Sequence, residues 1–315
     1  MCEYDEKIDR EKALDYAIRD YECKKFPVES GYKIGNKPPY WNYLSNGAWE
    51  KFKDSMKKVH RRQFEDADGG ELKEKKGRWG ICPPKMASFG SSSRFLYNIS
   101  KDIVGFQFEK LLPTRVGGTA NLDGYIMRGD VDVFVEAKCR EIYSSHIKVE
   151  VSKVYQEVYD KLAAEKDLLF SYEEICSKDK EHFDCTFKVN GKVIVHFDIK
   201  QLICHFLAIS ANILENVNAN KNIKFVYLIF NPRYNTCFDN ERISHFNERI
   251  INIYDDTKKE INIYDDTKKE IESFYMKRLF DAIFDIQTQR LELQGKYTSF
   301  EFRFADQNDY KEKIK

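Results

Sequence analysis

Glu136 and Lys138 sit near the end of an apolar run, VDVFVEAKCREIY, at residues Val131–Tyr143. In an extended strand, side chains two apart share a face. Asp132, Phe134, Glu136 and Lys138 therefore point one way, and Val131, Val133, Val135, Ala137 and Cys139 the other. The preceding stretch, LDGYI, carries Asp123. If the turn MRGD closes a hairpin with Ile126 beside Val131, Asp123 lies opposite Phe134 and diagonal to Glu136, roughly 7 Å away between backbones. A one-residue slip would carry Asp123 to the other face. Carboxylates and a lysine on one face of a sheet are costly to bury, and a bound Mg²⁺ offsets that cost. The set suits metal-dependent phosphodiester hydrolysis: Asp123 and Glu136 as metal ligands, Lys138 to orient a water or stabilise developing charge.

The elements that must position these residues follow from periodicity and turn chemistry. Ser91, Ser92 and Ser93 offer N-caps for a helix through FLYNISKDIVGFQFEKLL that stops at Pro113. On it Asn98, Asp102, Gly105 and Glu109 recur at helical spacing and would overlook a cleft. The Gly-rich turn VGGTAN leads into the hairpin of LDGYI and VDVFVEAKC. An insertion at about 140–197 holds a helical run around VEVSKVYQEVYDKLAAE and a hairpin at Asn190-Gly191. Asp198 then caps a helix, DIKQLICHFLAISANILEN, before the apolar strand IKFVYLIF. The predicted fold is a layered α/β core.

Asp123 followed by Glu136-Ala137-Lys138 resembles the PD-(D/E)xK signature of restriction-endonuclease-like nucleases, with Leu122 in place of the nominal proline. The stretches PPKMASFGSSSRFLYN, NLDGYI, EAKCREIY, FDIKQLICHFLAIS and FVYLIFNP resemble a group of bacterial restriction-endonuclease proteins, so the similarity spans about 82–232. It implies an αβββαβ core with a mixed central sheet flanked by helices, and Mg²⁺, with Mn²⁺ as substitute, as cofactor. The implied activity is a deoxyribonuclease of restriction type, with DNA as partner and a homodimer if cutting is palindromic. Asp123, Glu136 and Lys138 would be catalytic, with Glu109 as an auxiliary acidic residue on the preceding helix. The resemblance also sets the second long helix beside the active strands, with Lys200 or Gln201 reaching the cleft. Glu141 also matches the end of the motif, but strand parity turns it away.

A bare (D/E)xK recurs elsewhere, for example at Glu71/Lys73 and Asp198/Lys200; only Glu136/Lys138 ends an apolar strand paired with one bearing an Asp. Asp198 is better explained as an N-cap. Gln201, His205, Ala208 and Asn212 form a polar or small stripe, read as a seam satisfied within the fold, with His205 as a candidate base. Lys51–Arg62, KFKDSMKKVHRR, could track phosphates by charge alone, or be a solvated helix face. A catalytically inactive nucleic-acid-binding protein of the same fold is the alternative reading; a structural interaction protein built on the C-terminal helix is a third.

The 52 basic and 52 acidic residues cancel, so any nucleic-acid surface must be local. The charged N-terminus lacks a signal-peptide core, no stretch is apolar enough to span a membrane, and the eight cysteines show no CxxC pair, which together predict a cytoplasmic, thiol-reduced chain. Residues 1–81 read as an N-terminal elaboration without its own core and 233–315 as a mainly helical region. Within the latter, INIYDDTKKE at 251–260 recurs at 261–270, a local duplication that one helix could run through.

Overall fold

A computed structural model describes residues 18, 29–67, 70–77, 80–139, 147–216, 221–231, 252, 254–256 and 272–315. Glu141 and most of the duplicated segment lie outside the described residues.

The described chain begins with two short strands, β1 (Ser30–Tyr32) and β2 (Tyr40–Leu44), and two helices, α1 (Asn46–Ser55) and α2 (Lys58–Asp66). A small hairpin follows, β3 (Lys75–Gly77) and β4 (Gly80–Cys82). Helix α3 (Ser92–Ser100) then leads to three consecutive antiparallel strands: β5 (Gln107–Pro113), β6 (Thr119–Arg128) and β7 (Val131–Lys138). The insertion holds β8 (Val149–Ser152), α4 (Gln156–Ala164), β9 (Phe170–Ser177), β10 (His182–Val189) and β11 (Lys192–Val193). Its four strands form a separate sheet around β10. Helix α5 (Ile199–Glu215), strand β12 (Lys221–Ile229), helix α6 (Glu272–Leu291), strand β13 (Tyr297–Asp306) and the short α7 (Tyr310–Lys313) complete it.

The central sheet is mixed, five strands in the order β13-β12-β7-β6-β5, with β13, β12 and β7 parallel. This puts β7 in the middle of the sheet, and helices cover both its faces, as parallel strands require. Val133, Val135 and Ala137 pack with Phe95 and Leu96 of α3 and with Trp49 and Phe64 of the N-terminal region. Phe134 packs on the other side with Phe206 of α5 and Phe280 of α6. The N-terminal region thus shares the core of the sheet, consistent with its lack of an independent apolar pattern. Among the described residues no helix is long and apolar enough to cross a membrane.

Several expected elements hold. Ser91 caps α3 through its hydroxyl, which accepts from the Arg94 amide, and Asp198 caps α5 by accepting from the Gln201 amide. Asn190 and Gly191, at φ 51° and 72°, make the hairpin turn between β10 and β11.

Others are corrected. The helix expected to run to Pro113 ends at Ser100; after Gly105, at φ 81°, the chain becomes β5 and pairs with β6. VEVS is strand β8, not helix, and β13 is a strand in the region expected to be mainly helical. The hairpin register also moves by two residues. Arg128 faces Val131 across a two-residue turn in which Gly129 takes φ 62°, so the predicted four-residue loop is too long. Because the shift is even, Asp123 keeps its face and comes opposite Glu136 rather than Phe134.

Gly124, beside Asp123, is needed where it stands: an added Cβ would meet Phe106 Cζ at 2.4 Å and Leu96 Cδ2 at 3.2 Å. Phe106 is itself buried against Phe108. Gly124→Ala is expected to lower stability by about 1–3 kcal/mol, measured by urea unfolding.

Candidate active site

Three carboxylates lie along one row across three adjacent strands: Glu109 on β5, Asp123 on β6 and Glu136 on β7. Glu109 is opposite Asp123 at a break in the ladder, where the pairs Phe108–Gly124 and Lys110–Leu122 continue on either side. Its backbone adopts φ 54°, a left-handed conformation that costs energy for a residue with a side chain. Such strain clusters at functional positions, and here it interrupts a strand at the residue that meets Asp123.

The three charges join Lys138 in one cleft of about 540 Å³, whose other walls carry Glu71, Lys85, Ser88, Ser91, Asn121 and Gln201. All four residues expected in the site are therefore together. Glu109 arrives from a strand rather than from the expected helix. Its companions in the predicted helical stripe do not follow it: Asp102 forms an exposed ion pair with Lys57 at 3.7 Å.

Glu136 and Lys138 are buried, 2% and 7% exposed, and paired at 2.8 Å through Glu136 Oε1. The other oxygen, Oε2, is 2.9 Å from Nε2 of His205. Lys138 also donates to Gln201 Oε1, so α5 supplies a partner to each member of the pair, from residues one turn apart. Of the expected polar seam, Gln201 and His205 each meet one member of the candidate catalytic pair, while His205 Nδ1 has no hydrogen bond among the described residues, so the seam is only partly satisfied within the fold. Lys200 points elsewhere, donating to the Glu150 carbonyl at 2.7 Å.

Asp123 Oδ2 accepts from the Ala137 amide at 2.7 Å, which ties its carboxylate to the neighbouring strand. Asn121 Nδ2 donates to Glu109 Oε2 at 2.5 Å, while the buried Glu109 Oε1 has no hydrogen-bond partner among the described residues.

The electrostatics follow from this packing. Burial, then the charges of Glu136 and Glu109, push the Asp123 carboxyl well above its ordinary range, against Lys138 and the Ala137 amide. Burial and the neighbouring Glu71 push Glu109 up to about 7. Burial would raise Glu136 as well, but the charges and hydrogen bonds of Lys138 and His205 outweigh it and hold the group down to about 2. Only with all three carboxyls ionised would the row hold more negative charge than its lysine neutralises, and a divalent cation is what would favour that ionised form. Among the described residues no three His, Cys, Asp or Glu side chains form a ready-made metal cage.

Glu71 and Lys85, paired at 3.0 Å, also line the cleft and had no signal in the sequence as site residues. The basic run Lys51–Arg62 spans α1 and α2, and several of its charges are taken up in surface pairs such as Lys53–Glu50 and Arg61–Glu65. Comparison with models of protein families, with curated proteins and with solved structures found no match for this chain.

Proposed function

We propose that this chain is a Mg²⁺-dependent deoxyribonuclease of PD-(D/E)xK type, cutting DNA as a restriction endonuclease does. The observation that carries this reading is the row Glu109–Asp123–Glu136 meeting Lys138 in one cleft at the centre of the sheet. The succession helix, three strands, helix, strand, formed by α3, β5, β6, β7, α5 and β12, is the order the sequence resemblance implies and supports it further.

The residues present fit a hard divalent cation. Their donors are carboxylate oxygens, and the buried Oε1 of Glu109, without a hydrogen bond among the described residues, is an acceptor whose partner a cation or its water would supply. Mg²⁺ keeps several waters and is commonly bound by one or two carboxylates plus substrate phosphate, so it does not need a cage of three protein ligands. Asp123 and Glu136 would hold it, with Glu109 as auxiliary. When bound, Mg²⁺ polarises the scissile phosphodiester and lowers the pKa of a water. Lys138, fixed by Glu136 and Gln201, orients the attacking water and stabilises charge developing on the phosphate. The Glu136 carboxylate, held ionised, pairs with Lys138 and keeps it in place.

The expected compartment is the cytoplasm, and a two-fold dimer would present two clefts to the two strands of a palindrome. The test is cleavage of supercoiled plasmid with Mg²⁺ and with EDTA, with an RNA substrate in parallel. Nicking or linearisation that needs Mg²⁺ and is lost in Glu136→Gln is expected. Equal cleavage by the variant would exclude these residues from the reaction, and metal-independent DNA binding without turnover would favour the inactive binding protein instead.

A further inference from the structure

We propose that His205 is a positioning residue that sets the orientation of Glu136 for the cation, an inference that rests on the nuclease reading above. His205 is 2% exposed, and Nε2 lies 2.9 Å from Glu136 Oε2. Among the described residues its buried Nδ1 makes no hydrogen bond, and the ring's polar contact is with Glu136. Because the carboxylate can only accept, Nε2 carries the hydrogen.

A buried imidazole is costly unless its polar atoms are satisfied, and a histidine kept only for packing would be better replaced by an apolar residue. Here the ring is tilted near Phe225, with centroids 6.2 Å apart, and the surrounding face of α5 is apolar, with Leu202, Phe206 and Ile209 buried. The imidazole and Gln201, one turn before it, are the departures from that pattern, and the imidazole is aimed at a carboxylate.

Its effect on Glu136 is geometric. Lys138 holds Oε1 from within β7, and His205 holds Oε2 from a different element, so the carboxylate plane is fixed from two sides. The bond from His205 occupies one lone pair of Oε2 and leaves the other for a cation. Partners of this kind that hold a ligand in place change metal affinity or activity by about 10–100-fold when removed. Glu136 freed from His205 could still pair with Lys138, but would rotate about that single contact.

Calorimetric titration of the full chain with Mn²⁺, in the absence of DNA, reads this directly; thermal unfolding and plasmid cleavage accompany it. His205→Leu, which removes the donor and keeps apolar bulk, is expected to weaken Mn²⁺ binding by about 10–100-fold and lower cleavage in parallel. His205→Gln, which can still reach Glu136 with an N–H group, is expected to recover most of both. If His205→Leu unfolds, His205→Asn takes its place, because its amide is too short to reach Oε2, and it should behave as the leucine variant does. Wild-type Mn²⁺ affinity in His205→Leu or His205→Asn would overturn the positioning role while leaving the nuclease reading intact. Equal loss in the glutamine and asparagine variants would also overturn it. If the wild type neither binds Mn²⁺ nor cuts DNA, the nuclease reading fails and takes this role with it.

Discussion

Lys138→Ala is expected to abolish most DNA cleavage and to destabilise the fold at the same time. Its ammonium lies 2.8 Å from a carboxylate that is 2% exposed, so the substitution leaves a buried negative charge with His205 as its remaining partner. Breaking a buried pair in this way costs about 3–5 kcal/mol, with the bond from His205 favouring the lower end. Loss of one group that stabilises the transition state lowers the rate by about 10²–10³-fold. Lys138→Gln, which keeps a donor but no charge, should recover part of the stability and little of the cleavage. Urea unfolding and plasmid cleavage measured on the same preparations separate the two effects.

The pH dependence gives a further reading of the same pair. Glu136 is held down to about 2, below its ordinary 4.5, so the stability it contributes is fully present above 4.5 and is lost as pH falls through about 2. Without Lys138 that contribution shrinks. The gap in stability between wild type and Lys138→Ala should therefore narrow as pH falls from about 5 towards 2.

Arg94→Leu is expected to be as damaging to the fold and to reach the site indirectly. Arg94 is 1% exposed, and Nη1 points at the carbonyls of Met86, Ala87 and Ser88, at 3.5, 3.1 and 3.3 Å. Its guanidinium lies 4.7 Å from the Phe89 ring centre. Burial holds its pKa down to about 9, a sign of how much solvation the group gives up to make these contacts. The segment it ties down carries Lys85 and Ser88, which line the cleft together with Lys138. Leucine would leave the carbonyls without that donor, at about 1–3 kcal/mol for each that finds no other partner. Loss of at least about 3 kcal/mol in urea unfolding is expected, with cleavage per folded molecule also reduced as the wall loosens.

How much of this was readable from the chain depends on whether the signal was local. The pair Glu136/Lys138 and the parity of β7 followed from strand period alone, and Asp123 stayed on the right face because the register error was even. The run IKFVYLIF and the caps at Ser91 and Asp198 were equally local. The helix through FLYNISKDIVGFQFEKLL was misread because Phe95, Ile99, Ile103 and Phe106 do recur at helical spacing. What ends the helix is the turn after Ser100, and the strand period of β5 is hidden by the left-handed Glu109. Strand β13 did carry a signal, since Phe300, Phe302 and Phe304 alternate with polar residues, but the helical pattern before it drew the reading away. Glu71 and Lys85 had none, because only tertiary packing brings the chain before α3 to the cleft.

The position of β13 has a consequence for how the protein is made. The strand bearing Glu136 gains its first neighbour, β6, from residues just before it, but its second, β12, lies some ninety positions later, and β12 is itself unprotected on one edge until residues 297–306 have been synthesised. Pairings this distant in sequence form slowly, and an open apolar edge strand invites association with other chains. The growing chain therefore carries its candidate active strand half-paired until residues 221–229 have been added, and the last of the described strands to emerge is the one that closes the parallel edge of the sheet.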